Sequence, residues 1–198
     1  MYLCEYSSGC GGSGDGEYPA LIGSWAQAIG TVISAIGGTP ILVIGDGNQP
    51  YAIIGNSLQA VGAAVLADEA DNVLDQYGNI IPAIGNVIVL RGVFLDDLDL
   101  AITGDLFQAT GGSLSIYTAI QDEELVDFYA NGLQVVGNGA QALAGIQEKQ
   151  DIDSEDLAIT GGWIQATGAI IAALQETYDY LNPNETEDED VEDGQSKG

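Results

Sequence analysis

Between residues 20 and 37, apolar side chains return at three- and four-residue steps: Ile22, Trp25, Ile29, Val32 or Ile33, and Ile36. That spacing marks one face of a helix, and strict alternation is poor throughout the chain. Near the other end, Ile159, Trp163, Ala166, Ile170 and Leu174 follow the same rule. Acidic clusters at 68–71, 96–99, 122–124 and 151–156 precede or open apolar runs, as carboxylates favour the positive end of a helix dipole. The pattern predicts helices over about 18–37, 51–67, 69–93, 97–120, 122–148 and 154–180. Short connections between them predict an all-α bundle of six antiparallel neighbours. The longest connection, 39–50, holds an apolar run followed by turn residues, and reads as either an extended segment or a loop.

A loose G-x-x-x-Q-A-x-G template recurs within these helices. It spans Gly23 to Gly30, Gly55 to Gly62, Gly78 to Gly85, Gly104 to Gly111, Ala130 to Gly137 and Gly161 to Gly168. Its glutamine is Gln27, Gln59, Gln108, Gln134 and Gln165, with Pro82 in its place in the third copy. Glycine inside a helix costs about 1 kcal/mol relative to alanine, so propensity alone opposes these helices. Close helix contacts at seven-residue spacing would offset that cost, as small residues do between membrane helices. The competing reading places some glycines at helix ends, as Gly37-Gly38-Thr39-Pro40 is expected to be. The glutamines read either as interhelical hydrogen-bonding groups or as exposed polar residues beside the glycine strip. Trp25 and Trp163, in the same register of the first and last copies, are expected as core anchors.

Composition narrows the function. The chain has 198 residues, 3 Lys plus Arg, 30 Asp plus Glu and no His, for a net charge of −27. No histidine base or His-ligated metal is available. Three cations cannot neutralise a nucleic-acid backbone. Hydrophobic residues still make up 46%, which excludes a disordered polyanion. Two readings of the acid excess stand: a protein working in molar salt, where carboxylates are screened and keep the surface hydrated, or an acidic protein in ordinary salt. Residues 1–16 read as a flexible Gly/Ser-rich arm holding Cys4 and Cys10, bonded or free. Residues 17–181 read as the helical repeat domain, and 182–198 as a disordered acidic tail.

The run from Gly23 to Pro40 and the repeated G-x-W/L-x-Q-A-x-G units resemble a group of repetitive proteins of spore-forming Bacillus-type bacteria, named only for their internal repeat. The resemblance covers about residues 20–180 and implies no activity. This chain departs from it in its lysine depletion and acidic tail, a halophile-like version.

The remaining motifs carry little. Gly9 to Gly14 matches G-x-G-x-x-G without the strand and helix that a nucleotide site needs, and 137–142 belongs to the helical repeat. The 151–155 acids lack the Gly and Glu of a calcium loop and hold at most diffuse cations. The sequence thus predicts no catalytic, cofactor or metal site. It predicts a non-catalytic, cytoplasmic helical repeat protein with a structural or self-assembly role, burying one apolar stripe per helix and associating with itself through the Gly/Ala/Gln flank. A small-ligand carrier is a weaker reading. The principal alternative is a membrane-associated or membrane-inserted helical protein. Pro19 to Gly45 is uncharged and long enough to span, although Gly37 to Pro40 interrupts it and Ser, Thr, Gln and Gly recur.

Overall fold

The computed structural model describes residues 17–44 and 47–182. Six α-helices follow in order: α1 (Glu17–Gly37), α2 (Gln49–Glu69), α3 (Val73–Leu95), α4 (Leu98–Gln121), α5 (Leu125–Glu148) and α6 (Glu155–Leu181). Among the described residues there is no strand. Between α1 and α2 the chain makes a 3-10 turn at Pro40–Leu42, and the Ile44 N–H donates to Tyr51 Oη at 2.9 Å. The expected arm over 1–16, with Cys4 and Cys10, and the expected tail over 182–198 lie outside the described residues, apart from Asn182 at the end of α6.

Side chains in the junctions fix where helices start. Asn72 Oδ1 accepts from the N–H groups of Leu74 and Asp75 at 2.9 and 3.0 Å, and Asp97 Oδ1 accepts from Asp99 and Leu100 at 3.0 and 3.3 Å. Each satisfies donors that the first helical turn leaves without partners. Asp96, Glu123 and Asp151 occupy left-handed conformations in three successive junctions. The chain therefore reverses at acidic, water-facing residues.

Each helix packs on its sequence neighbours, and α6 closes onto α1. No two helices across this ring come into backbone contact, so the ring surrounds an axis. Glycines set the spacing within the hairpins. A Cβ on Gly30 would lie 2.6 Å from the Gly55 carbonyl oxygen, one on Gly85 2.7 Å from that of Gly104, and one on Gly137 2.6 Å from that of Gly161. Gly23 lies against Gly62, Gly78 faces Gly111, and Gly168 meets the Ala130 carbonyl. Residue numbers thus fall along one helix of each pair as they rise along the other. In α3, Pro82 packs its ring on Gly111.

The tryptophans close the ring. Trp25 on α1 packs on Ala28, Ala169 and Ala173 and donates from Nε1 to Thr177 Oγ1 at 2.9 Å. Trp163 on α6 donates to Thr39 Oγ1 at 3.0 Å, just beyond the end of α1. Trp163, expected as a core anchor, is 37% exposed and sits on the outer face, because the close α5–α6 approach turns it away from the axis.

Part of each expected apolar stripe points the other way, while Trp25, Ala166 and Ile170 stay on the buried side. Ile22, Ile29 and Leu174 are about half exposed, as are Ile54, Val61 and Val136 on neighbouring helices. The buried apolar side chains are almost all alanines, with Val89 and Ile102 the larger ones. The reason is geometric: backbones held apart by glycine alone leave no room for Leu or Phe between them. The Gly/Ala/Gln flank, expected to await a second copy, is consumed within the chain.

Two kinds of glycine follow. Gly168→Leu should destabilise the fold by about 1–3 kcal/mol by overpacking against Ala130 and Leu133. Gly132 and Gly139 have nothing within 4 Å of a would-be Cβ, so alanine at either should stabilise by about 0.5–1 kcal/mol. Thermal denaturation of the three variants separates these outcomes.

Candidate functional site

The residues facing the axis are polar. Ser24, Thr31, Asn56, Gln59, Asn86, Gln108, Thr118, Asn138 and Gln165 are buried. On α5, Asn131, Gln134, Asn138 and Gln141 recur at steps of three and four, which puts all of them on one helix face. That face lines the interior. The result is a bundle with amides inside and branched aliphatic side chains outside.

At mid-height the amides meet. Gln165 Nε2 donates to Gln59 Oε1 at 3.0 Å and to Gln108 Oε1 at 3.2 Å, joining α6 to α2 and α4 across the axis. Gln141 Nε2 donates to Gln165 Oε1 at 3.0 Å, and Gln59 Nε2 to Ser34 Oγ at 3.2 Å. Each of these residues follows by four positions a glycine of a hairpin crossing: Gly30, Gly55, Gly104, Gly137 and Gly161. The helical repeat carries the side chain one turn along the same face, so the crossings aim the whole layer. On α3 the equivalent position, after Gly85, is the buried Val89.

This layer divides the interior. On the side of the start of α1, a chamber of about 80 Å³ is lined by Ser24, Gln27, Asn86, Gln134, Asn138 and neighbours. On the other side, a chamber of about 220 Å³ includes Ser34, Asn56, Asp105 and Gln141. It runs into an open mouth at Gly37, Leu98 and Glu148. Both chambers share Gln59, Gln108 and Gln165 as their common wall.

Several polar groups inside are unsatisfied. Asn86 Nδ2 donates to the Pro82 carbonyl at 3.0 Å, which fixes the amide and leaves Oδ1 as the free acceptor. Asn86 Oδ1 and Asn138 Oδ1 are buried without a hydrogen-bond donor. Asp105 makes no hydrogen bond or ion pair among the described residues and faces the lower chamber. At the upper rim Glu124 has its carboxyl pushed up to about 7, by partial burial first and then by the neighbouring Asp127, with Asp122 and Asp75 adding to it. At the lower rim Lys149 pairs with Asp99 on the surface.

The template glycines, Gly23, Gly30, Gly55, Gly62, Gly78, Gly85, Gly104, Gly111, Gly137, Gly161 and Gly168, all lie in helix interiors and are all buried. The structure brings Gln59, Gln108 and Gln165 into one network. Gln27 and Gln134 lay their Cγ atoms against Gly62 and Gly168 and line the upper chamber. Sequence reasoning did not single out Asn86, Asp105, Asn138 or Gln141. The signal for them was the residue one or four places after a crossing glycine, once the second glycine of α3 and α5 is taken as the crossing point.

The chain belongs to a family of unknown function, DUF6944, whose model matches residues 19–173. No curated protein and no solved structure matches it.

The glutamine network predicts an asymmetry. Gln165→Leu strands Gln59 Oε1, Gln108 Oε1 and Gln141 Nε2, and should cost about 1–3 kcal/mol in chemical denaturation. Converting Gln59, Gln108 and Gln165 to leucine together should cost less than that single change, because fewer amides are left unpaired.

Proposed function

We propose that this protein is an integral membrane protein: a six-helix bundle of three repeated antiparallel hairpins around a polar axis, serving as a passage for small polar solutes. The observation that carries the reading is the inverted polarity. Amides and alanines fill the interior, while Ile, Val, Leu and aromatic residues face outward from every helix. Water gives such an exterior no reason to exist, whereas a bilayer rewards it and leaves internal polar contacts and small-residue packing to hold the helices together.

The distribution of charge supports the same reading. Residues 18–37, 49–67, 76–90, 128–147 and 157–175 contain no charged side chain, and 100–121 contains only Asp105. Twenty helical residues measure about 30 Å, the hydrocarbon thickness of a bilayer. Four helices, α1, α2, α3 and α6, are long and apolar enough to cross. On α4 and α5, Asp105 and the amide face point to the axis, which accounts for their lower hydropathy without opposing insertion. The acids collect in the junctions and flanks, outside this band.

A scaffolding protein that self-associates remains the second reading, now through the outer apolar face, since the glycine faces are occupied within the chain. Flotation separates the two. The full chain reconstituted with phosphatidylcholine vesicles should float with lipid and resist extraction at alkaline pH. Recovery in the soluble fraction, as large lipid-free particles, would reject the membrane reading.

A further inference from the structure

The axis offers acceptors and almost no positive charge. The buried oxygens of Asn86 and Asn138 receive no hydrogen bond above the glutamine layer. Below it stands Asp105, the sole charged residue of the uncharged band. The basic residues of the described chain, Arg91 and Lys149, lie towards the lower helix ends, and Lys149 is engaged with Asp99. Leaving a buried carbonyl oxygen unpaired costs about 1–3 kcal/mol. Two such oxygens lining one chamber, with a lone carboxylate across a shared wall, form a set that is incomplete without an electropositive guest.

We propose that the axis takes a monovalent cation, held above the glutamine layer by Asn86 Oδ1 and Asn138 Oδ1 and below it by the Asp105 carboxylate. This names the solute class of the passage and rests on that reading of the interior. Oxygen-only ligation suits a hard cation such as potassium or sodium. Single charge follows from the one carboxylate inside. Among the described residues no group of three or more His, Cys, Asp or Glu is placed to hold a metal ion. The glutamine layer lies between the two stations. For a cation to cross it, Gln59 Oε1 and Gln108 Oε1 exchange the Gln165 amide for the ion. The acidic rims at both ends raise the local concentration of cations and repel anions.

The test compares thermal stability of the purified full chain in potassium chloride and in choline chloride at equal ionic strength, so that general screening cancels. A bound ion should raise Tm by about 2–5 °C in potassium over choline. Asp105→Asn and Asn138→Leu should each remove part of that increment, and the two together most of it. Asn138→Leu discards an unpaired acceptor and should fold without a large penalty. Asn86→Asp, which keeps the oxygen and adds charge, should retain or enlarge the increment. Equal increments in the parent and all three variants would assign the effect to the surface and overturn the proposal, as would the lack of any increment in the parent. Neither result depends on flotation, so the failure of this inference is distinguishable from failure of the membrane reading.

Discussion

Everything in this bundle depends on how closely two backbones approach at the hairpin crossings. At Gly30/Gly55, Gly85/Gly104 and Gly137/Gly161 a side chain of even one carbon would strike the opposing carbonyl. The gain is dispersion between closely approaching backbones, set against a helix-propensity cost of about 1 kcal/mol per glycine. In water that balance is marginal. In lipid, where an unwound helix would strand its backbone groups, the propensity cost loses weight and the close packing stands. The same crossings then dictate the interior, because the residue four places on is carried to the axis.

The six helices were legible because length, capping acids and three-to-four spacing agree, and the observed ends fall within a few residues of those read from the sequence. The direction of each face was not. Periodicity reports that Ile22, Trp25 and Ile29 share a stripe, but only the solvent decides whether a stripe points in or out. The opposite stripe held the better clue. Asn131, Gln134, Asn138 and Gln141 align on one face with small residues, and amides interleaved with glycine favour a crowded interior over a wetted surface. The meeting of Gln59, Gln108 and Gln165 was beyond local reading, since it requires α6 to close on α1.

Charge completes the picture by its absence from the middle. The chain turns at Asp96, Glu123 and Asp151, exposed residues in the junctions, while the uncharged stretches lie between them. At the upper rim, partial burial first and the neighbouring carboxylates of Asp127, Asp122 and Asp75 after it raise the Glu124 carboxyl towards neutrality. On the proposed reading, dense carboxylate rims and an amide-lined axis share one electrostatic preference, for cations over anions.

The central claim is that apolar side chains meet lipid and amides meet the axis. Spin labels placed singly in reconstituted vesicles at Ile29, Ile84 and Val136, and for comparison at Gln27 and Gln134, with Cys4 and Cys10 changed to serine, test it most directly. Collision with oxygen, which dissolves in lipid, should be high at the first three positions, while a water-soluble nickel chelate should scarcely reach them. Labels at the two glutamines should show low oxygen collision. High nickel accessibility at Ile29, Ile84 and Val136, equal to that of a label in a loop, would mean that these faces are in water and would contradict the account.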